Sequence, residues 1–190
     1  MRPLRPLFGL LLLGMAASAI AESPFVFGPQ EVAPKSVKPN AKWKEGNIGL
    51  PAWPNDNDLI KVSLDSPDTR FSYYIDKNSL STGGDGVVRY TLVAETNNGT
   101  RNVSFEGIRC TPRGVYRVYA YGQARRFQLA VGGDDWRAID VSGADPIRDE
   151  LWRHYLCVPR LFEPRAKREQ IRVLRSGRVP SVENSGFLTN

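Results

Sequence analysis

The residue types that could carry out catalysis are few in this chain. His154 is the single histidine among the 190 residues, and no G-x-S-x-G sequence supplies a nucleophilic serine. A histidine-based triad would need a nucleophile and an orienting carboxylate around His154. A lone histidine in a helical segment is more often a packing or surface residue. The sequence therefore predicts no catalytic residue.

Two short polar segments resemble ligand-binding loops only in part. Asp56-Asn57-Asp58 begins like a calcium-binding loop, but the glycine and the glutamate that complete such a loop are absent. Gly83-Gly84-Asp85-Gly86 lacks the Lys-Ser/Thr pair of a phosphate-binding loop and precedes a strand rather than a helix. We interpret both segments as turns, so the sequence predicts neither a metal site nor a cofactor.

Charged and aromatic residues on the predicted strands are the candidates for a binding site. Arg89 and Glu106 lie on adjacent strands, where they either pair across the sheet as structural residues or, with Arg109, contact a ligand. Tyr119 belongs to a basic, tyrosine-rich stretch that could stack on nucleic acid. Because tyrosine is a good strand former and the charges of residues 22–158 cancel, we expect no nucleic-acid binding. The candidate binding residues are Arg89, Glu106, Arg109 and Tyr119.

Cys110 and Cys157 are the two cysteines of the chain, and each ends a predicted regular element. One disulfide between them is the simplest interpretation in an oxidising compartment. The alternatives are two reduced thiols or half of a metal site. The oxidising compartment of an exported protein would disfavour reduced thiols, and the other ligands that a metal site needs are missing. A cross-link closing a loop of this length would stabilise the fold by about 4 kcal/mol.

The first 21 residues have the layout of a cleavable secretory signal peptide. Two arginines precede an apolar run from Leu7 to Met15, and small residues end at Ala21. The apolar run is shorter than the roughly 20 residues that span a bilayer, and no cysteine follows it to accept a lipid anchor. We expect export with cleavage after Ala21 and a soluble product without a transmembrane segment.

The elements that must position the candidate residues form a β-rich pattern from residue 56 onward. Six segments alternate or are rich in β-branched and aromatic residues, with turn signals such as Asn97-Asn98-Gly99 between them. Asp145-Pro146 then provides a cap residue and a first-turn proline for one helix. The predicted fold class is α+β, an antiparallel β-meander of about five to six strands with one C-terminal helix packed on it and tied by the disulfide.

Two flanking segments differ in composition from this β-rich domain, which we assign to residues 56–158. Residues 22–55 contain six prolines and no sustained period, which favours an extended arm whose Trp43 and Trp53 contact the domain. Residues 159–190 carry seven Arg or Lys against three Glu, whereas the mature chain before them is neutral. This basic tail is either an electrostatic arm for an anionic envelope component or unknown protein partner, or a solvated extension without a partner. Its sequence is also compatible with a helix from Pro164 to Leu174.

Four segments occur in an order that resembles the CNP-like family of exported proteobacterial proteins, a family to which no activity is assigned. They are residues 74–80, 85–93, 102–110 and 119–122. The Glu-Gly-Ile-Arg-Cys block that ends at Cys110 is the most specific part. The resemblance spans residues 43–157 and does not explain the basic tail. It implies a Gram-negative periplasmic location and supplies no catalytic residue.

A more remote similarity of pattern is to the surface-adhesin E type of domain, which binds host proteins at the bacterial surface. We therefore expect a non-enzymatic periplasmic binding or interaction module of the cell envelope. The alternative is an enzyme or enzyme inhibitor that acts on envelope polymers, with Arg89, Glu106 and Arg109 as its polar centre. A concave cleft that converges on those residues would favour the alternative, and a closed sheet face would favour the binding module.

Overall fold

The computed structural model describes residues 43–65, 70–132, 135–142, 144–158 and 160–177. The predicted signal peptide, the first part of the predicted arm and the end of the basic tail lie outside the described residues. No helix in the described ranges is long and apolar enough to cross a bilayer.

The main sheet is an antiparallel meander in which strands adjacent in sequence pair with each other. A 3-10 turn, Asp56–Asp58, leads into the first strand. A short seventh strand pairs with the fifth, beside the sixth. The strands are β1 (Leu59–Lys61), β2 (Phe71–Thr82), β3 (Val87–Thr96), β4 (Arg101–Arg109), β5 (Val115–Gln123), β6 (Arg126–Leu129) and β7 (Arg137–Ala138). The predicted α+β meander is confirmed.

Two helical segments follow the sheet. Helix α1 (Pro146–Glu150) begins after Asp145 with proline in its first turn, as predicted, and continues as a π-helix, Leu151–Leu156. A two-stranded hairpin of β8 (Cys157–Val158) and β9 (Glu163–Pro164) then leads to helix α2 (Lys167–Ser176). Helix α2 is a second helix, inside the segment predicted as a basic tail.

The main hydrophobic core lies between one face of the sheet and these helices. Alternate residues of the central strands point into it, because successive side chains of a strand face opposite sides. Strand residues in this core include Ile75, Val88, Tyr90 and Ile108, and helical residues include Leu151, Tyr155, Leu156, Val173 and Leu174. We call this side of the sheet the helix face.

The predicted disulfide is confirmed. Cys110 follows β4 and Cys157 follows the π-helix, and their Sγ atoms are bonded across a sequence separation of 47 with the Cα atoms 5.6 Å apart. The bond therefore fastens the C-terminal end of the helical segment to the end of a central strand.

The described part of the basic tail is packed against the domain, which corrects the interpretation of a free or solvated extension for residues 160–177. Helix α2 buries Gln170, Val173 and Leu174, while Lys167, Arg168, Arg172 and Arg175 are exposed. The net charge of the tail did not predict this packing, because a net charge averages over both sides of an amphipathic helix.

Candidate binding site

Three of the four predicted binding residues lie on one face of the sheet, and the fourth lies on the other. In the pairing of β3 with β4, Arg89 is opposite Gly107, and Glu106 is opposite Tyr90. Residues that are paired share a face, so Arg89 and Glu106 point to opposite sides of the sheet. The hypothesis that these two residues pair across the sheet is therefore wrong. Arg109 and Tyr119 lie on the side of Arg89, which we call the strap face.

The strap face is covered by residues 43–55, which we call the N-terminal strap. Trp53 packs against Phe127, with ring centroids 5.5 Å apart. A Cβ atom on Gly122 would lie only 2.7 Å from the Trp53 ring, so a glycine is needed at this crossing. The expectation that the second half of the arm contacts the domain is confirmed.

One carboxylate of the strap, that of Glu45, forms hydrogen bonds with three side chains of this face. Glu45 accepts hydrogen bonds from Arg117 at 2.7 Å, from the Tyr119 hydroxyl, and from Arg89 at 3.4 Å. Burial raises the pKa of Tyr119, and its hydrogen bond to Glu45 raises it further. Arg89 and Tyr119 are thus engaged by the chain's own strap.

Asp85 is the second carboxylate of this network. It accepts two hydrogen bonds from Arg89, at 2.5 and 3.2 Å, and one from the backbone N–H of Gly46 at 2.8 Å. The Arg89 guanidinium holds the pKa of Asp85 well below its usual range, and the N–H groups of Gly46 and Val87 lower it further. The segment predicted to be a turn therefore also anchors the strap.

Arg109 contacts two tryptophan rings at the end of the strap face. Its guanidinium carbon lies 3.7 Å from the centroid of the Trp43 ring and 5.7 Å from that of Trp136. The Trp43 indole N–H donates to the backbone oxygen of Asp85 at 2.9 Å. Cation–π contacts of this kind contribute about 0.5–2 kcal/mol each. They hold the strap against the sheet at Arg109.

The helix face, in contrast, has a concave region between the sheet and the start of helix α1. A cleft of about 270 Å³ lies between the exposed ends of β2, β3 and β4 and the start of α1. Nine of its fifteen lining residues are apolar or aromatic, and four of its polar residues are joined to one another by hydrogen bonds. The apolar lining residues are Phe71, Tyr73, Leu92, Tyr121, Pro146 and Ile147, and the polar ones include Asn102, Ser104, Glu106, Asp145 and Arg148.

Glu106 forms the polar floor of this cleft. Its carboxylate has no solvent exposure and accepts two hydrogen bonds from Arg148, at 2.8 and 2.7 Å. Ser104 donates to the same carboxylate at 2.6 Å and the Tyr90 hydroxyl at 3.3 Å. Burial raises the pKa of Tyr90 well above its ordinary value, and the charge of Glu106 adds to this effect. Four hydrogen bonds therefore fix the orientation of the Glu106 carboxylate.

Arg148 connects the floor of the cleft to its rim. It also donates to Asp145 at 2.6 Å, and its guanidinium lies over the Tyr116 ring at 4.3 Å. Burial opposes the charge on Arg148, but the carboxylate of Glu106 outweighs this and raises its pKa. Sequence reasoning did not identify Arg148 or Asp145 as site residues, although the Asp145-Pro146 helix start was predicted and places both of them at the cleft.

Another polar cluster lies away from the cleft, where α1 meets the loop after β1. Asp65, Glu150 and His154 offer carboxylate and imidazole atoms that all lie within 4.8 Å of one another. Burial raises the pKa of Glu150 to about 7, and the charge of Asp149 contributes to the rise. The sequence predicted no metal site, and this grouping was not recognised in it.

The fold and cleft define a small disulfide-linked α+β domain, with the N-terminal strap across one face of the sheet and the cleft beside α1 on the other. The chain belongs to the CNP1-like family, whose profile matches residues 38–175. The match extends past Cys157 and so includes most of helix α2, beyond the region that the resemblance covered. No curated protein and no solved structure matches the chain. The similarity to surface-adhesin E domains stays a prediction.

Proposed function

We propose that this chain is an exported binding module of the Gram-negative cell envelope, and that the cleft between the sheet and α1 holds its ligand. The N-terminal pattern of two arginines, an apolar run and a small-residue cleavage site supports export. The Cys110–Cys157 disulfide is in keeping with an oxidising compartment such as the periplasm.

The observation that carries the proposal is the composition of the cleft. Ligand sites in proteins are concave and mainly apolar, with a few polar groups placed to orient the ligand. Phe71, Tyr73 and Tyr121 supply aromatic walls, and Arg148 and Asp145 supply a donor and an acceptor at the polar end. Such a cleft suits a small, partly apolar ligand, or one side chain of a peptide, that carries a hydrogen-bonding group.

The alternative, an enzyme or inhibitor with Arg89, Glu106 and Arg109 as its centre, receives less support. Arg89 and Arg109 contact the strap, while Glu106 lies on the opposite face. Glu106 is also saturated with donors. General acid–base catalysis requires a group able to exchange a proton with the substrate.

The test fills the cleft and leaves the rest of the domain unchanged. Ala94 lines the cleft, and Ala94→Trp would occupy it, whereas Ala138→Trp on the exposed strand β7 is the matched control. The mature protein is incubated with the small-molecule fraction of a periplasmic extract, and separately with muramidase-released peptidoglycan fragments, and bound compounds are detected by native mass spectrometry. We expect the wild type and Ala138→Trp to retain a compound that Ala94→Trp loses.

Two results would count against this proposal. Retention of the same compound by Ala94→Trp, with its far-ultraviolet circular dichroism unchanged, would place the ligand elsewhere. The absence of any retained compound from both fractions would refute small-ligand binding. An intact mass that includes residues 1–21 in the periplasmic product would refute cleavage after Ala21.

A contact with an anionic envelope component remains part of the proposal for the basic tail. A groove of about 600 Å³ between β1 and the end of α2 is lined by Lys61, Lys77 and Arg175. We expect Lys61→Glu/Arg175→Glu to weaken binding to phosphatidylglycerol vesicles at low salt, and Lys44→Glu in the strap to leave it unchanged. Equal binding by the wild type, Lys61→Glu/Arg175→Glu and Lys44→Glu would exclude this groove as the vesicle-binding site.

A further inference from the structure

Asp65, Glu150 and His154 come from three different parts of the fold. Asp65 lies in the loop after β1, Glu150 is the last residue of α1, and His154 lies in the π-helix. Residues four apart on a helix share a face, so Glu150 and His154 both point toward the loop. Segments of π-helix occur often at functional sites.

Glu150 has a buried carboxylate oxygen without a hydrogen-bond partner. Its side chain is only 8% exposed. One oxygen, Oε1, accepts from the backbone N–H of Asp65 at 2.6 Å, but Oε2 has no partner within hydrogen-bonding geometry. A buried acceptor without a donor is costly, and native structures rarely keep one without a reason such as an ion.

The position of that oxygen relative to His154 has the dimensions of a metal site. Glu150 Oε2 lies 3.5 Å from His154 Nε2. Two ligands of a tetrahedral zinc ion, each about 2.1 Å from the metal, are about 3.4 Å apart. The third ligand, Asp65, is exposed, and its carboxylate oxygen lies within 4.8 Å of the other two ligand atoms.

We propose that Glu150, His154 and Asp65 bind one divalent transition-metal ion of the zinc class. One imidazole nitrogen and two carboxylates are a donor set that suits such ions better than calcium, which prefers oxygen ligands alone. Three protein ligands leave the fourth tetrahedral position open to water or to a further ligand. The ion would connect the loop after β1 to the helical segment, independently of the cleft at Arg148.

The composition of the chain makes the test specific. His154 is its single histidine, and both cysteines are in the disulfide. Histidine-dependent zinc binding by untagged mature protein can therefore come only from His154. Zinc affinity is measured near neutral pH by competition with a chromophoric chelator, for the wild type and for His154→Gln, Glu150→Gln and Asp65→Asn. Asp140→Asn is the matched control, because Asp140 is an exposed aspartate outside the cluster.

We expect the wild type and Asp140→Asn to bind one zinc ion per chain with equal affinity. Loss of an outer-shell partner already costs about 10–100-fold in metal affinity, so loss of a direct ligand at His154 or Glu150 should cost at least that much. Zinc should also shift the imidazole resonances of His154 in the wild type, a measurement that needs no variant. Unshifted resonances at stoichiometric zinc, or equal affinity in His154→Gln and the wild type, would overturn the proposal.

Discussion

Replacement of Arg148 by methionine tests how the cleft floor is held. The Glu106 carboxylate is completely buried, and Arg148 is its one charged partner among the hydrogen bonds described. Methionine retains the apolar part of the arginine side chain but removes both hydrogen bonds and the positive charge. The substitution therefore leaves a buried carboxylate with only Ser104 and Tyr90 as donors.

The expected loss of stability is large for one residue. Removing one partner of a buried ion pair costs about 3–5 kcal/mol, because the remaining charge is left uncompensated. The two hydroxyl donors remain, so we expect a loss of about 3 kcal/mol, at the lower end of that range. Since small domains have about 5–15 kcal/mol of stability in total, the variant should still fold.

A double-mutant cycle, with the single variants Glu106→Gln and Arg148→Met and the double variant, separates the effect of charge from that of packing. Glu106→Gln/Arg148→Met removes both charges, so we expect the double variant to be more stable than Arg148→Met alone. Urea unfolding is followed by tryptophan fluorescence under non-reducing conditions. The control is Arg153→Met, which removes a partly exposed pair with Asp149 and should cost about 1 kcal/mol or less.

Two outcomes would refute this reasoning. If Arg148→Met cost no more than Arg153→Met, the buried carboxylate would not depend on its arginine. If the double variant lost the full sum of the two single losses, the residues would not be coupled, and the ion pair would be a coincidence of proximity.

Three other predictions concern the core, the strap and the disulfide. Leu174→Ala in α2 should cost about 2–5 kcal/mol in urea unfolding because the side chain is 2% exposed, whereas the exposed Arg175→Ala should stay within about 0.5 kcal/mol. Because the pKa of Asp85 is lowered in the fold, its carboxylate stabilises the protein above its unfolded pKa of about 3.9, and this contribution is lost as pH falls toward the folded pKa. The difference in unfolding free energy between wild type and Asp85→Asn should therefore shrink between about pH 5 and about pH 2. Cys110→Ala/Cys157→Ala should lower the unfolding free energy by about 4 kcal/mol for a loop separation of 47 residues, measured by calorimetry.

Each of these has a contrary result. A Leu174→Ala variant as stable as Arg175→Ala would mean that α2 does not contribute to the core. A constant difference between Asp85→Asn and wild type across the acid range would mean that Asp85 titrates normally. A double cysteine variant with unchanged stability would mean that packing alone fixes the end of the π-helix.

The strands and the disulfide could be predicted because their signals are local. Alternation along Val88–Glu95 predicts a strand, although the structure buries both faces of β3 from Val87 to Val93, and the Asn97-Asn98-Gly99 turn marks a hairpin. The start of α1 followed from Asp145-Pro146. Each of these features depends on residues only a few positions apart. The pairing of the two cysteines followed instead from the oxidising compartment expected for an exported chain.

The faces of Arg89 and Glu106 could not be predicted by the same means. Which residues of two strands face each other depends on the register, and a shift of one residue moves every side chain to the other side. The observed hairpin pairs Glu95 with Arg101, which places Glu106 opposite Tyr90 rather than Arg89. The turn sequence indicates that a hairpin forms, but several loop lengths are compatible with it.

Partners distant in sequence were also missed. Glu45 is 72 residues from Arg117 and 74 from Tyr119, and Asp65 is 85 residues from Glu150. No local period connects such positions. The charges of the strap and of the loop after β1 acquire their roles only when the sheet brings them together, so the sequence indicated the fold better than the site.

The helical segment from Pro146 to Leu156 carries residues of both proposed sites. Isolated helices shorter than about 12–15 residues are marginal in water, so this segment depends on packing against the sheet and on the disulfide at its end. It carries Arg148 to the cleft floor and, two residues later, Glu150 to the proposed metal site. On the opposite side of the sheet, Arg117 and Arg89 pair with the carboxylates of Glu45 and Asp85. Both proposed sites therefore depend on a single short element of the helix face.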